Sequence, residues 1–355
     1  MPERMQTPYH AVPTRSPEPV ALVVPESARI AVVVPCYKVR DHVLDVLGRM
    51  PDFVQRIYCI DDACPQSSGD HIEQSCTDSR VTVMRHARNM GVGGAMVTGY
   101  RAALADGADV VVKVDGDAQM DPTLIGLFVN PILAGEADYT KGNRFYRPES
   151  LKGMPAARLY GNAVLSLMSK LSTGYWQTFD PNNGYTAVHS TVLDMLPLDK
   201  LARGYFFEAD MLFRLSTVRA AVEDIPIDAV YGRENSSLRI ATVALPMLGG
   251  HLRNFAKRLI YAYFLRDFSV ASIEWLLGPL LLLFGVFFGV TEWWRSTATG
   301  EVASAGTVML AALPILIGFQ MLLSAINFDV QSVPRQAVHR HLKRNGLASG
   351  GSAGR

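Results

Sequence analysis

Two apolar runs near the C-terminus, Ile273–Val290 and Val308–Ile326, restrict what this chain can become. Each approaches the ~20 residues a helix needs to cross a bilayer. Within lipid the backbone has to satisfy its own hydrogen bonds, so both runs are expected as transmembrane helices. Trp275, Trp293 and Trp294 lie at the ends of the first run, where indole rings favour the headgroup zone. Arg253, Lys257, Arg258 and Arg266 precede the first run, and Arg335, Arg340, Lys343 and Arg344 follow the second. The connecting stretch Arg295–Gly306 holds one Arg and one Glu. By the positive-inside rule both flanks are expected to be cytoplasmic, in an inner or plasma membrane protein of two spans.

Ahead of the spans the pattern changes. Arg29–Pro35 is a short β-branched run that reads as a buried parallel strand, and Gln55–Asp62, Val81–Met84 and Asp109–Val114 read as the second, third and fourth strands. Asp41–Arg49, Gly69–Cys76 and Gly93–Ala105 read as the intervening helices. This alternation predicts an α/β domain with a mostly parallel, Rossmann-like sheet covered on both faces. Further on, Ala137–Lys141 reads as a strand, Leu159–Leu171 and Tyr205–Val218 as helices, and Glu223–Ile227 as an edge strand, because Pro226 has no amide hydrogen. Ile240–Phe268 is amphipathic and basic, broken by Pro246 and Gly249-Gly250, and is expected along the membrane surface. The expected organisation is a disordered leader over 1–28, the α/β domain over 29–239, juxtamembrane amphipathic helices over 240–272, a two-helix transmembrane module over 273–328 and a basic cytoplasmic tail over 329–355.

The four cysteines show no metal-ligand spacing and read as reduced thiols. A net charge of +1 carries no signature of nucleic-acid binding, and no such partner is expected.

In open α/β sheets ligands bind beyond the carboxyl ends of the strands. Pro35-Cys36-Tyr37, Asp61-Asp62 and Asp115-Gly116-Asp117 all fall at such ends. Two carboxylates one residue apart can face a hard cation together, with Gly116 permitting a tight turn. Mg²⁺ and Mn²⁺ suit such a site, because they accept one or two carboxylates and take further ligands from substrate phosphates. Gln119 can add an amide oxygen, and Asp121-Pro122 reads as the cap and first residue of the next helix.

PCYK (Pro35–Lys38), CIDDAC (Cys59–Cys64), RNMGVGGAMVTGYRAA (Arg88–Ala103), VDGDAQMDP (Val114–Pro122) and KGNRF (Lys141–Phe145) follow one another in this order. As a set they resemble the GT-A domain of a family 2 glycosyltransferase. With two C-terminal spans, the chain is similar to membrane-anchored polyprenyl-phosphate glycosyltransferases of the dolichyl-phosphate mannose synthase type. The resemblance implies inverting transfer of a sugar from a UDP- or GDP-sugar to a polyprenyl phosphate or another lipid-linked acceptor. It implies that Pro35 and Tyr37 shape the nucleotide pocket and that Asp62 or Asp61 holds the base edge. Asn89, Gly91, Gly93 and Gly94 would bring backbone close to the nucleotide. Asp115 and Asp117, with Gln119, would hold Mg²⁺ or Mn²⁺ on the diphosphate, and Arg144 would neutralise phosphate charge.

The chain departs from that family at Lys38-Val39, where Asn-Glu is common, and at Val92, where Lys is common. It departs again over Tyr231–Arg239, where a Gly-x-Ser-Lys loop is usual. Arg233, Ser236, Ser237 and Arg239 keep hydroxyls and cations there and are candidates for the acceptor phosphate. An acceptor hydroxyl would instead need a general base, for which Asp180 and Glu208 are the candidates. Asp180 before Pro181 also suits a turn. Glu208 also suits a helix N-terminus. A processive synthase would carry Gln-x-x-Arg-Trp and more spans, and neither is found. Membrane lipid is an expected partner. Homo-oligomerisation and a separate flippase are both compatible with so short a membrane module.

Overall fold

The computed structural model describes residues 24–146, 156–227 and 240–344. One seven-stranded sheet organises the first part, in the order β3-β2-β1-β4-β6-β5-β7. The strands are β1 (Ile30–Cys36), β2 (Val54–Asp61), β3 (Val81–Arg85), β4 (Val110–Lys113), β5 (Tyr139–Asn143), β6 (Thr186–His189) and β7 (Val222–Pro226). All run in one direction except β6, which lies antiparallel between β4 and β5. Sequence periodicity does not pick out β6: TAVH is four residues with no usable alternation. β7 pairs only with β5 and is the expected edge strand.

Alternate residues of β1 feed two cores, as the period of a strand requires. Ile30, Val32 and Val34 pack with α1 (Val43–Gly48), α2 (Ser68–Ser75) and α4 (Ile125–Leu133) on one face. Ala31 and Val33 pack with α3 (Val92–Ala105), α6 (Ser190–Asp194) and α7 (Phe207–Thr217) on the other. The small residues of α3 let it press on the sheet: a Cβ on Gly99 would lie 2.3 Å from Val33 Cγ1.

Two further helices, α5 (Ala156–Thr173) and α8 (Ile240–Ile260), pack on each other and on α7. Ser172 Oγ meets His251 Nδ1 at 2.8 Å, and Asn254 Nδ2 donates to Asp210 Oδ1 at 3.0 Å. The expected break in this segment does not occur: α8 runs through Pro246 and both glycines. Gly250 serves packing instead, since a Cβ there would meet the Phe206 ring at 2.7 Å. The helix changes to a π turn only at Tyr261–Arg266. Away from the core, α8 exposes Leu245, Leu248 and Leu252, and α5 exposes Tyr160, Val164 and Leu167. Each set follows helical spacing, so each makes an apolar stripe.

Two helices long and apolar enough to cross a membrane, α9 (Val270–Thr299) and α10 (Ala305–Gln331), form a hairpin. Ser269 and Ser272 close a capping box on α9, Gly300 ends it in the left-handed region, and Ser304 caps α10. Their contact is built from small residues: a Cβ on Gly318 would meet Gly278 O at 2.7 Å, and one on Gly285 would meet Ile315 Cγ1 at 2.7 Å. Gly285→Leu is expected to force the helices apart and cost about 1–3 kcal/mol. Thermal unfolding in detergent checks this against Gly306→Leu, where a Cβ meets only Ser304 Oγ at 3.7 Å and no loss is expected.

The hairpin is tied to the catalytic domain at its base. Asp329 of α10 takes Arg258 of α8 at 2.8 Å, Tyr263 Oη at 2.6 Å and Trp176 Nε1 at 2.7 Å. Beyond it, the short helix α11 (Val338–Arg344) returns to the domain. Asp138 accepts the backbone amides of Val338 and His339 and the Nδ1 of His339. The C-terminal end of the hairpin is therefore held to the domain at two places, through Asp329 and through α11.

Candidate active site

The acidic turn follows β4 at the carboxyl edge of the sheet. The strand's last residue, Lys113, is buried, an unusual place for a charge unless it is paired. Its Nζ reaches Asp115 Oδ1 at 2.7 Å, Glu208 Oε1 at 3.4 Å and Gly184 O at 3.2 Å. Burial by itself would lower the lysine pKa, but the Asp115 and Glu208 carboxylates outweigh it and raise it. Glu208 lies in the first turn of α7, with no side-chain bond capping the helix. Burial raises its pKa, against the pull of Lys113. Lys113 thus joins Glu208 to the acidic turn, a link absent from the sequence reading. A lysine inside the otherwise apolar VVVK strand was the available signal.

The turn itself differs from expectation in one respect. The left-handed residue is Ala118, with φ of 58°, and not Gly116. Gly116 is small because Val39 Cγ2 would lie 3.1 Å from a Cβ there. Asp117 Oδ1 accepts the Gln119 amide at 3.1 Å, and the Gln119 side chain is exposed. Burial, and then the neighbouring Asp115 charge, push the Asp117 pKa up. Asp121 caps the following turn as expected and also pairs with Arg49 at 2.7 Å.

Among the described residues no three His, Cys, Asp or Glu side chains form a metal cluster. Asp115 and Asp117 are therefore a two-carboxylate set, which suits a hard divalent ion that completes its shell with diphosphate and water. The raised pKa of Asp117 fits such a role: a half-buried carboxylate beside another is what a cation relieves.

At the next strand end, Arg144 forks onto Asp180, with Nε to Oδ2 and Nη2 to Oδ1 both 2.8 Å. Asn183 Nδ2 adds a third bond at 3.0 Å, and Asp180 holds a φ of 54°. Burial would raise the Asp180 pKa, but Arg144 outweighs it and holds the carboxyl below the usual range. Both oxygens are engaged, so Asp180 is placed to orient Arg144. A carboxyl depressed in the folded state adds stability that is complete above its unfolded value of about 3.9 and is lost as pH falls through the folded one. Asp180→Asn is therefore expected to lower stability at pH 7 by about 1–3 kcal/mol. It should also flatten the loss of stability on acidification, as urea unfolding at pH 7 and pH 3 will measure.

The remaining predicted residues line the sheet's other half. Pro35 is half-buried and Tyr37 is exposed, with Lys38 Nζ 5.4 Å from the Tyr37 ring centroid. Asp61 and Asp62 are turned inward. Asp61 accepts the amides of Cys64 and Gly69, each at 2.7 Å. Asp62 accepts those of Met90 and Gly91, and meets His86 Nδ1, all at 2.7 Å. A base edge would have to use lone pairs beside these bonds. Asn89 is exposed and its Oδ1 accepts the Gly91 amide at 3.0 Å.

The glycines lie tight against other parts of the chain. A Cβ on Gly91 would meet Arg203 O at 2.3 Å, and one on Gly93 would meet Ala202 O at 2.0 Å. A Cβ on Gly94 would meet Met90 Cβ at 2.6 Å. These glycines admit the protein's own loop and side chains. Arg233, Ser236, Ser237 and Arg239 lie outside the described residues, as do 1–23 of the expected leader and 345–355 of the tail.

Residues 31–196 match the family described as glycosyl transferase family 2. The chain is 32% identical over 152 residues to the UDP-N-acetylglucosamine–dolichyl-phosphate N-acetylglucosaminyltransferase of Methanococcus voltae. That alignment covers 43% of this chain and 60% of the relative's length. It is 28% identical over 206 residues to the undecaprenyl-phosphate mannosyltransferase of Micrococcus luteus, covering 57% of this chain and 84% of the relative. Among solved structures, glucosyl-3-phosphoglycerate synthase from Mycobacterium tuberculosis, in complex with uridine diphosphate, shares the fold with a TM-score of 0.51 and 19% identity. The match covers 65% of this chain and 81% of that one.

Proposed function

From the premise that this chain carries a family 2 glycosyltransferase domain over residues 31–196, we propose that it loads a sugar onto a membrane lipid phosphate. The donor is a UDP- or GDP-sugar and the acceptor a polyprenyl phosphate. The reaction takes place at the cytoplasmic face of the inner or plasma membrane. The observation that carries this reading is the joining of the domain that bears the acidic turn to a hairpin of two long apolar helices through α5 and α8, whose apolar stripes can lie in the bilayer surface. Two relatives named for polyprenyl-phosphate acceptors support it.

In this reading an anionic oxygen of the acceptor phosphate attacks the anomeric carbon of the sugar. The bond from that carbon to the nucleotide diphosphate breaks, and the diphosphate leaves with the electron pair. Attack from the opposite face inverts the anomeric centre. Asp115 and Asp117, with Gln119 near by, would hold Mg²⁺ or Mn²⁺, which would supply charge stabilisation for the departing diphosphate. Arg144, oriented by Asp180, offers a fixed cation to phosphate oxygens. Lys113 holds Asp115 in place from below. Pro35 and Tyr37 border the nucleotide, and the 228–239 segment, with Arg233, Ser236, Ser237 and Arg239, supplies the acceptor phosphate's partners. A phosphate oxygen needs no general base. A two-helix hairpin encloses no pore of its own, so moving the product across the membrane falls to a separate flippase.

One observation favours a second reading, transfer to a hydroxyl of a lipid-linked saccharide. Glu208 has a raised pKa and stands one lysine away from Asp115, where a general base could act. Incubating the purified protein with polyprenyl phosphate and a panel of sugar nucleotides tests the choice. Transfer of one sugar, dependent on added Mg²⁺ or Mn²⁺ and abolished by EDTA, is expected. Transfer that occurs only when a lipid-linked saccharide is supplied would favour the second reading.

A further inference from the structure

A separate cavity of about 360 Å³ opens where the hairpin meets the catalytic domain. It stands at the opposite edge of the sheet from the acidic turn. Tyr175, in its wall, donates its hydroxyl to Ala220 O, just before β7. Val222 of β7 is in register with Tyr139 at the start of β5, whereas Asp115 follows the end of β4. A strand of four or five residues at about 3.3 Å each separates the two places by roughly 15 Å.

Charge in the cavity is uneven. Arg258 is neutralised by Asp329 through two bonds of 2.8 Å. Arg219 and Arg266 also line it, both exposed, against one further carboxylate, Asp267. Arg219 gives one long bond of 3.4 Å to Ser332 O, and Arg266 gives one to Thr217 O and lies over the Tyr261 ring. Each guanidinium has five N–H donors, so both retain capacity for an anion. Beside them Phe268 is 72% exposed and Phe328 47% exposed, at the start of α9 and the end of α10. Paired cations next to bare aromatic rings, at the level where two spans begin, match the boundary between headgroups and acyl chains.

We propose that this cavity seats the phosphate of an anionic phospholipid from the leaflet on the catalytic domain's side. Arg219 and Arg266 hold the phosphate, and the acyl chains lie against Phe268, Phe328 and the start of α9. Guanidinium groups match phosphate geometry with paired hydrogen bonds. Because Arg219 belongs to the domain and Arg266 to the juxtamembrane turn, one headgroup joins the two. The proposal rests on the reading that α9 and α10 span a membrane.

Native mass spectrometry of the full chain in detergent, with dioleoylphosphatidylglycerol, dioleoylphosphatidylcholine or inorganic phosphate added, tests it. One phosphatidylglycerol should be retained at least tenfold more strongly than phosphatidylcholine, and millimolar phosphate should not displace it. The double variant R219A/R266A should fall to the phosphatidylcholine level, while R253A/K257A, on the exposed side of α8, should not. Equal retention of the two lipids by the unaltered chain overturns the proposal whether or not the double variant folds. So does displacement by inorganic phosphate, or equal loss in the R253A/K257A control. Failure of the chain to enter phospholipid vesicles would overturn the membrane reading and this proposal together, whereas entry without lipid preference overturns this proposal alone.

Discussion

Replacing Asp117 by Ala is expected to reduce sugar transfer by at least about 10²–10³-fold, the usual cost of removing one preorganised contact to developing charge. The loss should appear in turnover and in metal dependence, and not in folding. Asp117 is an unfavourable carboxylate in the metal-free fold, its pKa raised by burial and by Asp115. The native state therefore keeps this proton to higher pH than the unfolded chain does. Stability falls as pH rises from the unfolded value of about 3.9 through the folded one, and the cost is complete above it. Asp117→Asn should thus leave the metal-free protein as stable as the parent or slightly more so at pH 7, while transfer is lost. Thermal unfolding in EDTA and a transfer assay in Mn²⁺, on the same preparation, separate these effects. Near-normal turnover by either variant would remove Asp117 from the site.

The largest effect on stability is expected at the base of the hairpin. Arg258 and Asp329 have side chains 7% and 4% exposed, and their contact is 2.8 Å. Removing one partner of a buried pair strands the other charge and costs about 3–5 kcal/mol. Asp329→Asn can keep its oxygen on the Oδ2 side for Trp176 Nε1 and donate from its amide nitrogen to Tyr263 Oη on the Oδ1 side, so the loss it causes reports mainly on the unpaired Arg258. Thermal unfolding in detergent should show that loss. The double variant Arg258→Met/Asp329→Asn, which removes the stranded charge, should recover much of it. A single-variant loss below about 1 kcal/mol would place the pair among exposed ones and contradict its role as the joint.

Where one force dominates, the sequence was legible. β1 and β4 are short runs rich in valine and buried along almost their whole length, and burial on both faces is the use that fits them. The two long apolar helices follow from length and apolarity, although α9 and α10 extend past the apolar runs at both ends because Ser269, Gly300 and Ser304 set the limits. Features fixed by tertiary contact were not legible. β6 is defined by its neighbours β4 and β5 and not by its own four residues. α8 continues through Pro246 because packing against α5 and α7 outweighs the local penalty. Gly91 and Gly93 signal close approach correctly, but only the structure reveals that Ala202 and Arg203 make it. In the site, the acidic pair was evident from its place after a buried strand. The Arg144–Asp180 fork joins residues far apart in the chain, and the Lys113–Glu208 link does the same.

The central claim is that the crevice at Asp115 and Asp117 transfers a sugar to a lipid phosphate delivered by the membrane. Its most direct test is the product formed from labelled nucleotide sugar and polyprenyl phosphate in proteoliposomes with Mn²⁺. The account predicts a labelled lipid that mild acid splits to free sugar and polyprenyl phosphate, formed by the parent and not by Asp117→Ala. An acid-stable glycoside, or equal product from Asp117→Ala, would contradict it.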